Sequence, residues 1–247
     1  VDLLYPGFIF ETPVNIHLVV GGTARRVDFT NQVFDFAPDV PQLDETADAG
    51  YSGFRVRAPV NREDYLDEFL VFQGASYFRA VARGQLYGIS ARGLAVSTGQ
   101  PAGEEFPLFT DFWIERPAAA AKRFIVHALL QSRSVVGAYK FTVVPGDDTV
   151  IDVVATLFPR ADLRAFGIAP LTSMFLFDAS NRARFDDYRN AVHDSDGLQI
   201  LNGRNERIWR PLANPRTLQV SSFLDDGPRG FGLVQRKRHF ADYEDAE

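Results

Sequence analysis

The chain has 247 residues, of which 46% are hydrophobic and 13% aromatic, and this composition is sufficient for a large buried core and excludes a disordered chain. Its 26 Lys and Arg against 32 Asp and Glu give a net charge of −6, so no general positive field favours nucleic acid or an anionic membrane. No apolar run approaches the roughly 20 residues that a membrane helix needs. We therefore expect a globular protein that does not insert into membranes and binds a neutral or cationic ligand.

Residue types that hold metals are scarce. The sequence contains no cysteine, which excludes disulfides, thiolate nucleophiles and cysteine-ligated metal sites. Its four histidines, at positions 17, 127, 193 and 239, do not form a metal-binding spacing such as HExxH. The GxSxG, P-loop and GxGxxG motifs do not occur either. The sequence therefore predicts no metal and no cofactor.

Short aromatic-rich runs separated by Gly and Pro are typical of β-strands. In chain order, the predicted strands are VNIHLVV from Val14, FRVRAPV, FLVFQGASYFRAVA, LYGISARGLAV, FTDFWIERP, FIVHALLQS, AYKFTVV, TVIDVVATLF, LQIL, ERIWRPL, LQVSSFL and GFGLVQRKRHF. Helical signals are confined to residues 61–69 and 118–122. The pattern predicts an all-β, antiparallel sandwich that forms a single domain over residues 1–247.

Two hairpins are marked by their turn residues. The alternating run from Ala138 meets the turn Pro145-Gly146-Asp147-Asp148, after which TVIDVVATLF resumes in extended residues. LQIL and ERIWRPL flank the turn Asn202-Gly203-Arg204-Asn205 in the same way.

The densest polar cluster is the stretch from His193 to Leu198, HDSDGL. In an extended chain Asp194 and Asp196 share one face, where two partly desolvated carboxylates shift each other's pKa values and suit acid or base catalysis. The same residues also suit an ordinary turn, half of a calcium loop, or the Asp-x-Asp motif of sugar-nucleotide transferases. The transferase interpretation is disfavoured because strands and helices do not alternate along the chain.

Aromatic and charged residues lie together in three further segments, as they do in sugar-binding sites. Glu104 and Glu105 precede Trp113 in one segment, Tyr77 and Arg79 share a second, and Arg92 lies in the third. An exposed loop before an aromatic strand, or an arginine paired with a nearby carboxylate, produces the same patterns. Both interpretations stay open at this point.

Taken in order, these segments resemble the osmoregulated periplasmic glucan biosynthesis proteins, the family of glucans biosynthesis proteins G and D. The resemblance covers nearly the whole chain and is closest from about residue 50 onward. The matching blocks are GFRV at 53–56, FLVFQGASYFRA at 69–80, LYGISARGLA at 86–95, EEFPLFTDFW at 104–113, GAYKF at 137–141, GIAPLTSMF at 167–175, HDSDGL at 193–198, IWRPLANP at 208–215 and GFGLVQR at 230–236.

The resemblance implies a periplasmic protein, made with a signal peptide, that acts on β-1,2-linked glucan. It implies a large sandwich of the galactose-mutarotase-like type, followed in the family by a smaller immunoglobulin-like domain. It also implies that this chain is incomplete at both ends and lacks that second domain.

The family has been assigned endo-acting, inverting β-1,2-glucanase activity, and its older role is in building or maturing the glucan backbone. The resemblance implies that Asp194 is the general base and that the general acid lies after residue 247. From the matching blocks we predict further glucan contacts at Asp196, Arg79, Arg92, Tyr77, Glu105 and Trp113. The alternatives are a non-catalytic glucan-binding module needed for synthesis, and an interaction subunit without a sugar site. The oligomeric state stays open, with a homodimer among the options.

Overall fold

A computed structural model describes residues 1–7, 10, 12–39, 50–119 and 121–243. The strands are β1 (Asp2–Leu4), β2 (Asn15–Val20), β3 (Thr23–Arg26), β4 (Gly53–Ala58), β5 (Asp67–Gln73), β6 (Tyr77–Ala80), β7 (Ser90–Arg92), β8 (Leu94–Val96), β9 (Leu108–Glu115), β10 (Phe124–Gln131), β11 (Val135–Val144), β12 (Val150–Pro159), β13 (Phe166–Ile168), β14 (Leu171–Thr172), β15 (Phe175–Phe177), β16 (Val192–His193), β17 (Gly197–Leu201), β18 (Arg207–Pro211) and β19 (Gly230–Val234). Within these described ranges the helical elements are two 3-10 turns, Asn31–Val33 and Arg182–Arg184, and one short α-helix, α1 (Phe240–Tyr243). The predicted all-β class is confirmed.

None of the helices in the described ranges is long and apolar enough to cross a membrane. The contacts divide the chain into two compact units. Unit 1 comprises Val1–Tyr87 and Ala91–Pro170, and unit 2 comprises Gly88–Ser90 and Leu171–Glu247. The single domain predicted over residues 1–247 stays a prediction.

Unit 1 contains two sheets. Within unit 1, the strands of the first sheet follow the order β1-β4-β5-β6-β7, and those of the second follow the order β12-β11-β10-β9-β2-β3. Neighbouring strands in both sheets pair antiparallel except β2 and β9, which pair parallel. Strands β8 and β13 form a separate antiparallel pair.

The sequence alternation determines which side of each strand is buried. In β11, alternate residues from Val135 to Val143 are buried and those between them are more exposed, as the period of two requires. The turn at residues 145–149 returns the chain so that Val144 lies opposite Val150, which confirms the predicted hairpin of β11 and β12.

A cluster of phenylalanines joins the two sheets, and Phe72 of β5 lies at its centre. The Phe72 ring is fully buried and contacts five other rings at centroid distances from 5.0 to 6.5 Å. Its partners in the first sheet are Phe54 and Phe78, and those in the second are Phe109, Phe112 and Phe141. Several of these pairs meet edge to face, the arrangement that aromatic quadrupoles favour. The two sheets therefore pack as a sandwich around this cluster.

Unit 2 contains the second predicted hairpin. Strands β17 and β18 pair antiparallel, and β19 pairs with the other edge of β17. In the connecting turn, the side-chain oxygen of Asn202 accepts hydrogen bonds from the backbone N–H groups of Arg204 and Glu206. Asn205 adopts a left-handed φ of 67° that asparagine tolerates. This turn chemistry confirms the interpretation made from the sequence.

Several local predictions are wrong. The run FLVFQGASYFRAVA forms two strands, β5 and β6, with a turn at 74–76 between them, and in LYGISARGLAV residues 86–89 belong to no strand and the rest forms β7 and β8. Residues 218–224, LQVSSFL, form no strand, since no neighbouring segment of the described chain pairs with their backbone. The strand predicted over 230–240 ends at Val234 and is followed at Phe240 by α1. Neither helical signal forms a helix, because residues 67–69 belong to β5 and the described residues of 118–122 are irregular.

The central position of Phe72 predicts a large cost for removing its ring. We expect Phe72→Ala to lower the free energy of unfolding by about 3–5 kcal/mol, because the lost contacts leave a cavity between two sheets. Phe158→Ala removes the same group from a ring that is 56% exposed and should cost less than about 1 kcal/mol. Denaturant unfolding monitored by circular dichroism measures both, and equal losses would contradict this packing.

Candidate functional site

The HDSDG segment lies in unit 2. Strand β16 ends at His193, and β17 begins at Gly197. Residues His193, Ser195 and Gly197 are buried, whereas Asp194 and Asp196 are partly exposed. The alternation predicted from the sequence is therefore present, and it places both carboxylates on the more exposed side of the segment.

The carboxylate of Asp194 is held at one oxygen. Its Oδ2 accepts a hydrogen bond of 2.9 Å from the backbone N–H of Met174, and the Asp194 N–H donates to the Met174 carbonyl at 2.8 Å. Among the described residues, Oδ1 accepts no hydrogen bond that would occupy it. The pair of backbone bonds fixes the orientation of the side chain while leaving one oxygen available as a proton acceptor.

Gly88 lies beside Asp194 within unit 2. A Cβ atom at position 88 would be 3.7 Å from the Asp194 Cβ and 4.0 Å from Oδ1. A methyl group would therefore fit in ordinary van der Waals contact, but a larger side chain would occupy the space next to Oδ1. Gly88 was not predicted as part of the site, because glycine has no side chain that would indicate a chemical role.

Asp196 links the three strands of the unit 2 sheet. Its Oδ2 accepts a hydrogen bond of 2.6 Å from the backbone N–H of Arg236, and its own N–H donates to the Val234 carbonyl. Its carbonyl accepts from the Leu212 N–H. These bonds give Asp196 a structural role, and its predicted contact with glucan stays a prediction.

Rings and hydroxyls beneath the segment hold it in place. The His193 ring stacks on Phe175 with centroids 4.9 Å apart and meets Tyr243 edge to face at 5.3 Å. The Oγ atoms of Ser195 and Ser173 are 2.5 Å apart. His193 Nε2 lies 3.8 Å from Asp196 Oδ1, which is too far for a hydrogen bond. The residues on both sides of Asp194 are therefore fixed by packing.

Three of the predicted glucan contacts lie together on the outer face of the first sheet of unit 1. Tyr77 of β6 lies opposite Arg92 of β7, and the Arg92 Cζ is 5.7 Å from the Tyr77 ring centroid. Arg79 follows on the same side of β6, with its Cζ 5.9 Å from the ring centroid of Tyr87. Within the described ranges the Arg79 guanidinium makes no hydrogen bond or ion pair, so its donors are available to a ligand.

Arg92 is only 8% exposed and is paired with Glu104, whose Oε1 lies 2.5 Å from Arg92 Nη2. The same Oε1 accepts a hydrogen bond of 3.0 Å from Thr98 Oγ1. The Arg92 Cζ also lies 5.3 Å from the ring centroid of Phe106. The structure therefore adds Glu104 and Phe106, which were not among the predicted contacts, to the surroundings of Arg92.

Glu105 faces a different neighbour. Its Oε1 accepts hydrogen bonds of 2.9 Å from both the N–H and the hydroxyl of Ser134, and Arg133 approaches Oε2 at 3.6 Å. Burial alone would raise the pKa of the Glu105 carboxyl, but hydrogen bonds from Ser132 and Ser134 lower it below its ordinary value. Its carboxylate therefore anchors the turn between β10 and β11, and a glucan contact at Glu105 stays a prediction.

Trp113 belongs to β9 of the second sheet. Its neighbours Phe112 and Ile114 are buried in the core, so the indole lies on the outer face, where it stacks on His17 with centroids 5.2 Å apart. Tyr77 and Arg79 lie on the outer face of the other sheet. The two sheets pack through their inner faces, so the structure does not bring Trp113 together with Arg79.

The comparisons with known proteins agree with the family resemblance. The profile of the family described as periplasmic glucan biosynthesis protein, MdoG, matches residues 1–247. The chain is 54% identical to the glucans biosynthesis protein G of Rhodopseudomonas palustris over 247 residues, which are 100% of this chain and 49% of that protein. It is 52% identical over 246 residues to the protein of the same description from Vibrio cholerae, again over 100% of this chain and 45% of that protein. The chain spans about half the length of the curated relatives it matches.

The anchoring of Glu105 predicts a pH-dependent contribution to stability. The pKa of Glu105 is lower in the folded protein than its ordinary value of 4.5. At a pH above 4.5 the ionised carboxylate therefore stabilises the fold, and this contribution is lost as the pH falls through the pKa of the folded state. We expect Glu105→Gln to cost about 1 kcal/mol at pH 7 and less at pH 3, where more of the carboxyl is protonated. Denaturant unfolding at the two pH values measures the difference. Glu63→Gln, at an exposed position, serves as the control, and an equal cost of Glu105→Gln at both pH values would contradict the prediction.

Proposed function

Because this chain belongs to the periplasmic glucan biosynthesis protein family, we propose that it carries the general base of an endo-acting, inverting β-1,2-glucanase. The observation that carries the proposal is the geometry of Asp194, with one oxygen held by the Met174 N–H and the other next to Gly88, which has no side chain to cover it. Hydrolysis would then cut glucan chains during their biosynthesis in the periplasm. A signal peptide in the precursor belongs to the same proposal.

In the proposed reaction, Asp194 accepts a proton from a water molecule as its oxygen bonds to the anomeric carbon. The bond between that carbon and the glycosidic oxygen breaks at the same time, and a general acid protonates the leaving oxygen. Inversion requires the two carboxyl groups to be roughly 6.5–9.5 Å apart, which leaves room for the water. The resemblance places the acid after residue 247, so we expect this step only in the longer protein.

The outer face of the first sheet supports binding of a neutral sugar polymer. Arg79 has donors free of protein partners in the described ranges, and the Tyr77 ring lies near the guanidinium of Arg92. Hydroxyl groups of a sugar accept hydrogen bonds from arginine, and its C–H faces pack on aromatic rings. The net charge of −6 does not favour a polyanion.

Incubation of the full-length protein with β-1,2-glucan separates hydrolysis from the alternative of non-catalytic binding. New reducing ends support the glucanase, whereas glucan binding without new reducing ends would indicate a module that organises the polymer during synthesis. Absence of both would contradict a direct action on β-1,2-glucan. The homodimer stays a prediction, which the molar mass of the full-length protein in solution would test.

A substitution at Asp194 tests its role as base. We expect Asp194→Asn in the full-length protein to lower the rate of glucan hydrolysis by about 10²–10⁴, because the amide cannot accept the proton from water. The amide retains an oxygen that can accept from the Met174 N–H, so glucan affinity and thermal stability should change little.

Asp196→Asn is the matched control for this substitution. It changes the neighbouring carboxylate, which holds the Arg236 N–H, and should affect stability more than turnover. If Asp194→Asn leaves hydrolysis within about threefold of the parent, Asp194 is not the base. If it unfolds the protein, the segment is a structural turn.

The space at Gly88 predicts a graded effect of side-chain size. Gly88→Ala should retain hydrolysis, because its Cβ would make ordinary contact with Asp194, whereas Gly88→Val should lower it about tenfold or more by crowding Oδ1. Gly230→Val, at a strand position with no atom within 4 Å of an added Cβ, is the control. Equal activity of the alanine and valine variants at position 88 would contradict this arrangement.

A further inference from the structure

The loop between β8 and β9 carries an aromatic ring, Phe106, that is not among the glucan contacts predicted from the sequence. Phe106 is 51% exposed although it lies in a hydrophobic block, and it precedes the strand whose Phe109 and Phe112 belong to the core. A single exposed apolar side chain is common on protein surfaces, so the groups that hold the Phe106 ring, and not its exposure alone, carry the argument.

The residues before and after Phe106 in the chain restrict its position. The preceding residue, Glu105, is fixed to Ser134 through its carboxylate, and its N–H donates to the Val96 carbonyl at 3.0 Å. Glu104 is fixed to Arg92, and Pro107 restricts the backbone on the other side. An exposed ring supported in this way loses little conformational entropy when a ligand packs on it.

The buried guanidinium of Arg92 packs against the Phe106 ring. Its guanidinium lies 5.7 Å from the Tyr77 centroid and 5.3 Å from the Phe106 centroid, within cation–π distance of both. Because Glu104 already neutralises this buried charge, the site offers no free cation to a phosphate or carboxylate. The exposed part of the Phe106 ring is therefore available for a contact that needs no charge.

The surroundings of Phe106 are polar. Arg92 lies 5.3 Å from the ring centroid, its partner Glu104 lies two residues before the ring, and the Thr98 hydroxyl donates to Glu104 Oε1 at 3.0 Å. A single apolar ring with a polar rim is too small for a hydrophobic protein interface but matches a pyranose, which has C–H faces and hydroxyl edges. A neutral sugar ring is the ligand class that fits.

We propose that Phe106 is a stacking platform for one pyranose ring of the bound glucan, supported by Arg92 and Glu104. This inference rests on the proposed function, because it takes β-1,2-glucan as the ligand. Since the ring carries no group that transfers protons, it contributes to binding and not to the bond-breaking step. Phe106 is thus a binding residue: its substitution should change the Kd for the glucan, whereas substitution of Asp194 should change the rate of hydrolysis.

The test compares three variants of the full-length protein with β-1,2-glucan as the probe. We expect Phe106→Ala to raise the Kd for the glucan about five- to thirtyfold with kcat within about twofold, whereas Phe106→Trp keeps a stacking ring and should stay within about threefold of the parent Kd. Phe158→Ala removes a comparably exposed phenylalanine from β12 and should leave Kd unchanged. Isothermal titration of each variant in the Asp194→Asn background, where the glucan is not consumed, measures Kd, activity assays without that substitution measure kcat, and thermal melts check the fold.

The outcomes separate this inference from the proposed function. If the parent binds and cleaves the glucan but Phe106→Ala binds it as tightly as the parent, Phe106 is not a stacking residue, and the proposed glucanase activity is unaffected. If Phe106→Ala unfolds, Phe106→Leu is tested instead, because leucine keeps apolar volume but has no aromatic face. Parent-like affinity of Phe106→Leu for the glucan would contradict the stacking role of Phe106. If the parent does not bind the glucan, both proposals fail.

Discussion

The contact of Phe72 with rings from both sheets determines how the rest of unit 1 is arranged. Phe78 must point inward to reach Phe72, and because side chains alternate along a strand, Tyr77 and Arg79 must then point outward. The same rule acts on β9, where Phe112 enters the cluster and Trp113 is left on the outer face of the second sheet. The aromatic core therefore decides which polar and aromatic residues can share a surface.

Arg92 shows a second constraint, the requirement that a buried charge have a partner. Its guanidinium is nearly inaccessible to water, and an unpaired charge in that position would be strongly destabilising. Glu104 provides the pairing from the loop between β8 and β9, and the hydrogen bonds of Glu105 to Ser134 fix the same loop to the turn between β10 and β11. The order of this loop is thus a consequence of satisfying one buried cation and one partly buried anion.

The alternation of apolar residues made much of the fold predictable. The strands β2, β4, β5, β6, β9, β10, β11 and β12, and the hairpin around Asn202, could be predicted because their periodicity and turn residues are local properties. Residues 218–224 have the same local pattern but no strand to pair with in the described chain, and pairing is not a local property.

The candidate site was less predictable, because its contacts join segments that are distant in the sequence. The alternation of Asp194 and Asp196 could be read from the sequence, but the bond to Met174 and the space at Gly88 depend on distant segments. Glu104 and Glu105 give a second example. The sequence pattern favoured Glu105 as a glucan contact, whereas in the structure Glu104 is the residue that pairs with Arg92. One residue of shift along an extended chain reverses the side on which a side chain lies, so composition alone cannot choose between them.

The anomeric configuration of the first product most directly tests the proposed inverting mechanism, in which the carboxylate assigned to Asp194 acts as a base and not as a nucleophile. The full-length protein is incubated with β-1,2-glucan, and ¹H NMR follows the new reducing ends before mutarotation mixes the anomers. A base that activates water on the face opposite the leaving oxygen predicts that the α-anomer appears first. Initial release of the β-anomer would contradict this role, because retention requires a nucleophilic carboxylate at roughly 5–5.5 Å from the acid.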